Sequence, residues 1–271
     1  MGIAVNTNFA SLSAQRNLST NSDKLAISVQ RLSSGLRINS AKDDAAGLVI
    51  SEGLRAQIRA VNVAVRNAQD GISMAQTAEG AMQEIGNMLG RMKELAEQAA
   101  SGTSGADNGT AKTALNTEYQ ALKSEISRIA ANTKFNGADL LGGATVSMQV
   151  GPAATDVVSF ALPGAAALVT SASDLLTSAH AQAILTTVDA DINAVAGARG
   201  TLGATQNTLE STIANLRVTS ENLSSAESHI RDTDFAYETS QFTKNQILVQ
   251  AGTAMVAQAN VLPQAALQLL K

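Results

Sequence analysis

Residues 188–230 read VDADINAVAGARGTLGATQNTLESTIANLRVTSENLSSAESHI. Within this stretch Val188, Val195, Leu202, Leu209, Leu216, Leu223 and Ile230 recur at every seventh position without a miss, and Ile192 and Ile213 fill part of the alternate seam position. A strict seven-residue repeat predicts one helix of about 45 residues, roughly 65 Å long, with its seam pressed against other helices. Gly197, Gly200 and Gly203 lie inside it, and each costs about 1 kcal/mol relative to Ala in a helix interior. Propensity does not sustain this helix; partners must.

The partners are legible upstream. Ile58, Val61, Val65, Ala68, Ile72, Ala75, Ala78, Met82, Ile85, Leu89 and Met92 follow three-or-four spacing and predict a second helix of about 40 residues. Leu115, Tyr119, Leu122, Ile126 and Ile129 mark a shorter third one. Between them the Gly/Ser/Asp/Asn cluster of residues 101–110 reads as a loop, and short connections of this kind make antiparallel neighbours. From about residue 132 to 164 the period changes. Thr145 to Val150 alternate, Asp156 to Ala161 do so more loosely, and Gly142-Gly143, Gly151-Pro152 and Pro163-Gly164 punctuate them, which predicts a small β-hairpin. The chain thus goes out along helices, turns in a hairpin region and returns along helices, bringing its ends together.

Those ends are unlike the middle. From Met1 to Ser22 the one charged side chain is Arg16, and from Thr239 to Lys271 there are Lys244 and Lys271 alone. Both stretches still carry apolar residues at helical spacing, among them Phe9, Leu12, Leu18, Leu25, Leu32 and Leu36 at one end, and Val261, Leu262, Leu267 and Leu270 at the other. Helices that are apolar on one stripe and Gln/Asn/Ser/Thr-rich elsewhere have neither a charged face for water nor enough hydrophobicity for lipid. Such helices want protein on several sides.

Composition agrees with a mainly helical assembly. In 271 residues there are 3% aromatics, no Trp and 3 Pro, poor material for a compact core and good material for long Ala-rich helices. The absence of Cys excludes disulfides and thiolate metal sites. No run approaches the roughly 18 apolar residues of a transmembrane helix, and the opening residues lack a basic then apolar secretion signal, so a membrane partner is not expected and any export takes another route. Net charge of −4 argues against nucleic acid. Residues 1–42 do carry Arg16, Lys24, Arg31, Arg37 and Lys42 against Asp23, but no aromatic residue interleaves them for base stacking.

Catalytic and cofactor signatures are missing. His180 and His229 lie far apart with no HExxH-type partner, and no nucleophile elbow, phosphate loop or dinucleotide fingerprint follows a strand. Asp43-Asp44 and Asp232/Asp234 are acid pairs that read as helix caps and first-turn charges rather than a catalytic dyad. Neither an enzyme nor a bound cofactor is expected.

The opening IAVNTN (Ile3–Asn8), LSSGLRIN (Leu32–Asn39), DDAAG (Asp43–Gly47), RMKELA (Arg91–Ala96), TKFNG (Thr133–Gly137), IRDTDFA (Ile230–Ala236) and NVLPQA (Asn260–Ala265) follow one another in this order. In these motifs the chain closely resembles bacterial flagellin over nearly everything except about 140–175, in a short form without large outer domains. The resemblance implies a mainly α fold: a long antiparallel helical bundle or coiled-coil rod (46–139 and 176–230), a small β-hairpin or variable region (140–175), and terminal helices (1–45 and 231–271) paired in the filament core.

The same resemblance implies a structural subunit that self-polymerises into the flagellar filament for motility. It implies export, unfolded, through the flagellar type III apparatus, with a chaperone at the C-terminal helix and with filament cap and hook-associated proteins as partners. The assembly residues expected from it are Leu18, Leu25, Leu32, Leu36, Val261, Leu262, Leu267 and Leu270. Matching RMKELA further implies recognition by Toll-like receptor 5 through Arg91, Leu95 and Glu118. Two other readings use the same scaffold: a surface adhesin or ligand-binding protein, for which the 140–175 region and Phe160 offer the surface, and a hook–filament junction protein. The intact IAVNTN and TKFNG motifs favour flagellin over the last.

Overall fold

In the computed structural model, residues 7–164 and 174–268 are described, those from 262 onward by backbone alone. Five helices carry the fold: α1 (Phe9–Ser34), α2 (Ala45–Ala100), α3 (Thr110–Asn132), α4 (Ser178–Arg231) and α5 (Phe235–Gln268). Between α3 and α4 lie two antiparallel ladders, β1 (Lys134–Phe135) with β2 (Ala138–Asp139), and β3 (Thr145–Gln149) with β4 (Val157–Ala161). The α4 span of 54 residues exceeds the heptad-based expectation, and α2, at 56, exceeds its own by more. Each runs on past its apolar stripe because no Pro or loop cluster stops it earlier.

Local chemistry sets the helix ends. Asn8 caps α1 by accepting the Ser11 N–H at 3.1 Å, Asp44 caps α2 through the Gly47 N–H at 2.9 Å, and Asp234 caps α5 through the Ala236 and Tyr237 N–H groups. Asp43 closes the preceding loop by accepting from the Asn39 and Ser40 N–H groups, and the Ser40 bonds hold its carboxyl below the usual range. Three of the four acidic residues read as caps are therefore consumed in turn chemistry. α1 ends at Gly35, whose φ of 72° is the left-handed conformation that favours glycine.

The described chain forms two compact units, Ile58–Glu221 and Met1–Gln57 with Asn222–Lys271. The Ile58–Glu221 unit holds a continuous core: Met82, Ile85, Leu89 and Met92 of α2, Tyr119 and Ile126 of α3, Phe160 of β4, and Val188, Val195 and Leu202 of α4. A second cluster joins Ala68, Val150, Leu209 and Ile213. Five of the seam positions, Val188, Val195, Leu202, Leu209 and Leu216, are buried, whereas Leu223 and Ile230 are half-buried. The β3–β4 hairpin docks by pushing Met148 into the notch left by Gly71, where a Cβ would lie 2.0 Å from the methionine Cε. The TKFNG motif makes its own two-residue ladder, turned by Asn136 and Gly137 at φ 49° and 83°, the positive-φ pair an Asn-Gly hairpin turn requires.

The α4 glycines are not packing sites. A Cβ at Gly197, Gly200 or Gly203 would meet nothing within 4 Å. Gly200→Ala should therefore raise the stability of this unit by about 0.5–1 kcal/mol, by removing backbone entropy from the unfolded chain. A urea melt checks it, and a lower midpoint would mean that a neighbour occupies that space.

Candidate functional site

The unit built from the chain ends has almost no core of its own. Among the described residues its buried apolar side chains are Ile38 and Ala259. Its exposed ones are many: Phe9 at 77%, Leu12, Ile27, Val29, Val49 at 74%, Ile50, Phe235, Tyr237, Ile247, Leu248, Met255 and Val261. In the Ile58–Glu221 unit the large apolar residues so exposed are Val63, Val157 and Val218. One unit has buried its hydrophobic surface, and the other still presents it.

α1 and α5 pack in antiparallel order, as three contacts show. The Arg31 guanidinium lies 3.6 Å from the Glu238 carboxylate, Leu18 Cδ1 would be 3.2 Å from a Cβ at Gly252, and Asn8 Nδ2 donates to the Ala259 carbonyl at 2.8 Å. Ser11 Oγ adds a bond to Asn260 Oδ1 at 2.8 Å. At the other end the chain is clasped by backbone: Arg37 N–H donates to the Arg231 carbonyl at 2.7 Å and Thr233 N–H to that of Gly35 at 3.0 Å. Beside it Glu52 accepts from Arg231 at 2.7 Å and Arg55 at 3.1 Å, and the Arg231 bond, first among these, lowers its pKa.

Of the expected assembly residues, Leu18, Leu25, Leu32 and Leu36 are half-buried, while Val261 is 50% exposed. The side chains of Leu262 and Leu267, and the whole of Leu270, lie outside the described residues. Sequence reading missed what faces the α1 leucines. Glu238, Asn245, Gly252 and Ala259 sit seven apart on α5, the first two and the last buried. The spacing was available, but a search for apolar heptads passes over a carboxylate, an amide and a glycine. Alongside runs a groove of about 430 Å³ whose walls include Lys24, Ile27, Arg31, Tyr237, Lys244 and Leu248.

The Ile58–Glu221 unit carries the other predicted residues. Arg91 bridges Glu118 at 2.8 Å and Glu94 at 2.9 Å, all three side chains near half exposed or more, and the Glu118 bond above all raises the pKa of the guanidinium. Leu95 is not beside them on the surface. It is 1% exposed and belongs to the α2 core, so it is not available as a contact residue in the folded chain. His180 Nδ1 lies 2.9 Å from Asp174 Oδ1 at the start of α4, and this bond lowers the Asp174 pKa. His229 is exposed on α4.

Residues 5–145 match the bacterial flagellin N-terminal helical region, and residues 185–270 match the bacterial flagellin C-terminal helical region. A flagellin of Halalkalibacterium halodurans is 46% identical over 273 residues, spanning 98% of this chain and 99% of the relative. The chain belongs to the bacterial flagellin family. A Bacillus subtilis flagellin is 42% identical, over 98% of this chain and 99% of its own. The crystal structure of Bacillus cereus flagellin superposes with a TM-score of 0.51 at 32% identity, over 56% of this chain and 88% of that one. As a flagellin-family member the chain is a structural subunit of the flagellar filament rather than an enzyme. Among the described residues no helix is long and apolar enough to cross a membrane.

Proposed function

We infer that the chain leaves the cell unfolded through the flagellar type III apparatus and polymerises, through its terminal unit, into a filament that serves as a propeller. One observation supports the reading best. A unit that buries Ile38 and Ala259 yet exposes Phe9, Leu12, Val49, Phe235 and Met255 cannot offset its ordering entropy alone, whereas neighbouring copies would cover that surface. Residues 1–45 and 231–271 would then line the channel, with 46–139 and 176–230 as the rod and 140–175 as its variable part. Before assembly a chaperone would hold the C-terminal helix, and the cap and hook-associated proteins would bound the growing polymer. A helical polymer needs contacts that do not close on themselves, which suits different apolar faces on α1, α2 and α5. Electron microscopy of the purified chain after seeding tests this: long filaments are expected, and discrete closed oligomers would sink it.

Recognition by Toll-like receptor 5 is the second reading, supported by the exposed Arg91 and Glu118 pair. An exposed Arg on a rigid helix is an effective interface anchor. Leu95 supports that helix from beneath. Arg91→Ala is expected to lower the potency of folded monomer in a receptor reporter assay without moving its melting midpoint. Leu95→Ala is expected instead to destabilise the unit by about 2–5 kcal/mol through the cavity it leaves. Unchanged potency for Arg91→Ala would remove the receptor reading.

A further inference from the structure

The α5 face that meets α1 is built from the wrong residues for adhesion. Where an ordinary seam repeats Leu or Ile, α5 places Glu238, Asn245, Gly252 and Ala259, and Glu238 is buried to 4% exposure with Arg31 as its ion-pair partner. Burying a carboxylate costs desolvation that an ion-pair partner offsets only in part, and replacing such pairs by apolar residues is often neutral or stabilising, so binding strength does not explain these choices. Polar seam residues have another established use in coiled coils: they fix register at a cost in stability.

The two possible one-heptad slips show what they fix. In one, Glu238 moves toward Ile38 while Arg31 moves opposite Asn245, and the buried Glu238 carboxylate is parted from its half-buried partner. Side-chain packing does not oppose this slip, because Leu18 would meet Ala259 and Leu25 would meet Gly252, both small; besides the ion pair, the Asn8 and Ser11 bonds to Ala259 and Asn260 are what it would lose. In the opposite slip Lys24, one heptad before Arg31, would meet Glu238, so charge alone permits it. There Gly252 is the obstacle: Leu18, which fills the hole above Gly252, would be driven against Asn245. The Asn8 and Ser11 bonds to Ala259 and Asn260 would be lost as well. Each direction has its own stop.

We propose that the pairing of Arg31 with the buried Glu238, together with the Gly252 hole, is a register lock that admits one alignment of α1 on α5, and that this alignment is what a neighbouring copy of the chain accepts during polymerisation. Arg31 and Glu238 are positioning residues. They contribute little to how tightly the helices hold and much to where they stop. In a polymer an error of one heptad shifts every exposed apolar residue of α5 by about 10 Å against α1, so a slipped subunit offers its neighbours a mismatched face.

The inference rests on the polymerising role above, and the natural absence of Cys makes a direct test possible. Ser11→Cys with Asn260→Cys reports the native register, and Leu18→Cys with Asn260→Cys reports the slip that the ion pair opposes. In otherwise unaltered chain, oxidation should cross-link the first pair within one chain and not the second. In Arg31→Leu/Glu238→Leu chain both pairs should cross-link, and filament yield after seeding should fall at least tenfold although the helical content of the monomer does not. The charge exchange Arg31→Glu/Glu238→Arg should recover filaments that Arg31→Glu alone loses. If the double-Leu chain cross-links in the native register alone and polymerises normally, the backbone clasp of Gly35 and Arg37 on Thr233 and Arg231 sets the alignment and the proposal is overturned. Failure of the unaltered chain to form filaments would instead refute the polymerising role.

Discussion

Leu209→Asp is expected to abolish cooperative folding of the Ile58–Glu221 unit, whereas Ser211→Asp, two residues along the same helix, should leave it nearly intact. Leu209 has no exposed surface and packs with Ala68, Val150 and Ile213. Placing an unpaired carboxylate there costs several kcal/mol on top of the roughly 2 kcal/mol of apolar burial removed. Domains of this size are stable by about 5–15 kcal/mol, so the loss is a large fraction of the whole. Ser211 is exposed and its hydroxyl only donates back to the Asn207 carbonyl at 2.9 Å. The measurement is a pair of thermal melts by circular dichroism. Equal midpoints would refute the seam.

The helices were readable because a long seam repeats one physical demand many times. In α4 five consecutive seam positions, Val188 to Leu216, are buried, and any single misjudged residue would not have changed the period. Where the repeat runs out, reading becomes harder. Leu223 and Ile230 keep the heptad spacing but are half-buried, in a unit whose apolar surface is completed by other chains under the reading given above. The β1–β2 ladder is two residues long on each side, too short for any periodicity. Its legible sign was the Asn-Gly turn alone.

Leu95 shows a different kind of failure. The three-or-four pattern of α2 passes through Ile85, Leu89 and Met92, and its next steps are Leu95, Ala96 and Ala99, all buried. Arg91 lies off that stripe, and the carry-over of a motif as a surface trio set aside the periodicity that separated its members. The α5 seam failed for the opposite reason. Its heptad is regular, but Glu238 does not look like a core residue until Arg31 is seen against it, and Asn245 is an amide that is nonetheless buried. Burial of polar residues depends on their partners, and partners more than 200 positions away are fixed by the fold.

Residues 58–221 alone are expected to form a helical, cooperatively melting monomer that never polymerises, at concentrations where the full chain, once seeded, does so. Nearly all of the buried apolar side chains belong to this segment: the α2 row, Tyr119, Ile126, Phe160 and the α4 seam to Leu216. In this segment the cut in α2 at residue 58 removes its first turns with the Asp44 cap, a cap worth about 1 kcal/mol, and the cut in α4 at residue 221 leaves a second free helix end. What it lacks is the unit that presents Phe9, Leu12, Val49, Phe235 and Met255 to its surroundings. Each such side chain, fully buried between subunits, contributes about 1.5–3 kcal/mol, and about 1.4 kcal/mol is a factor of ten in association. Losing even three or four of these contacts would raise the concentration needed for elongation by several orders of magnitude. Sedimentation after seeding, with circular dichroism on the same sample, checks both halves of the expectation. Pelleted polymer from residues 58–221 would show that the rod assembles by itself, and an unfolded spectrum would show that the ends are needed for more than assembly.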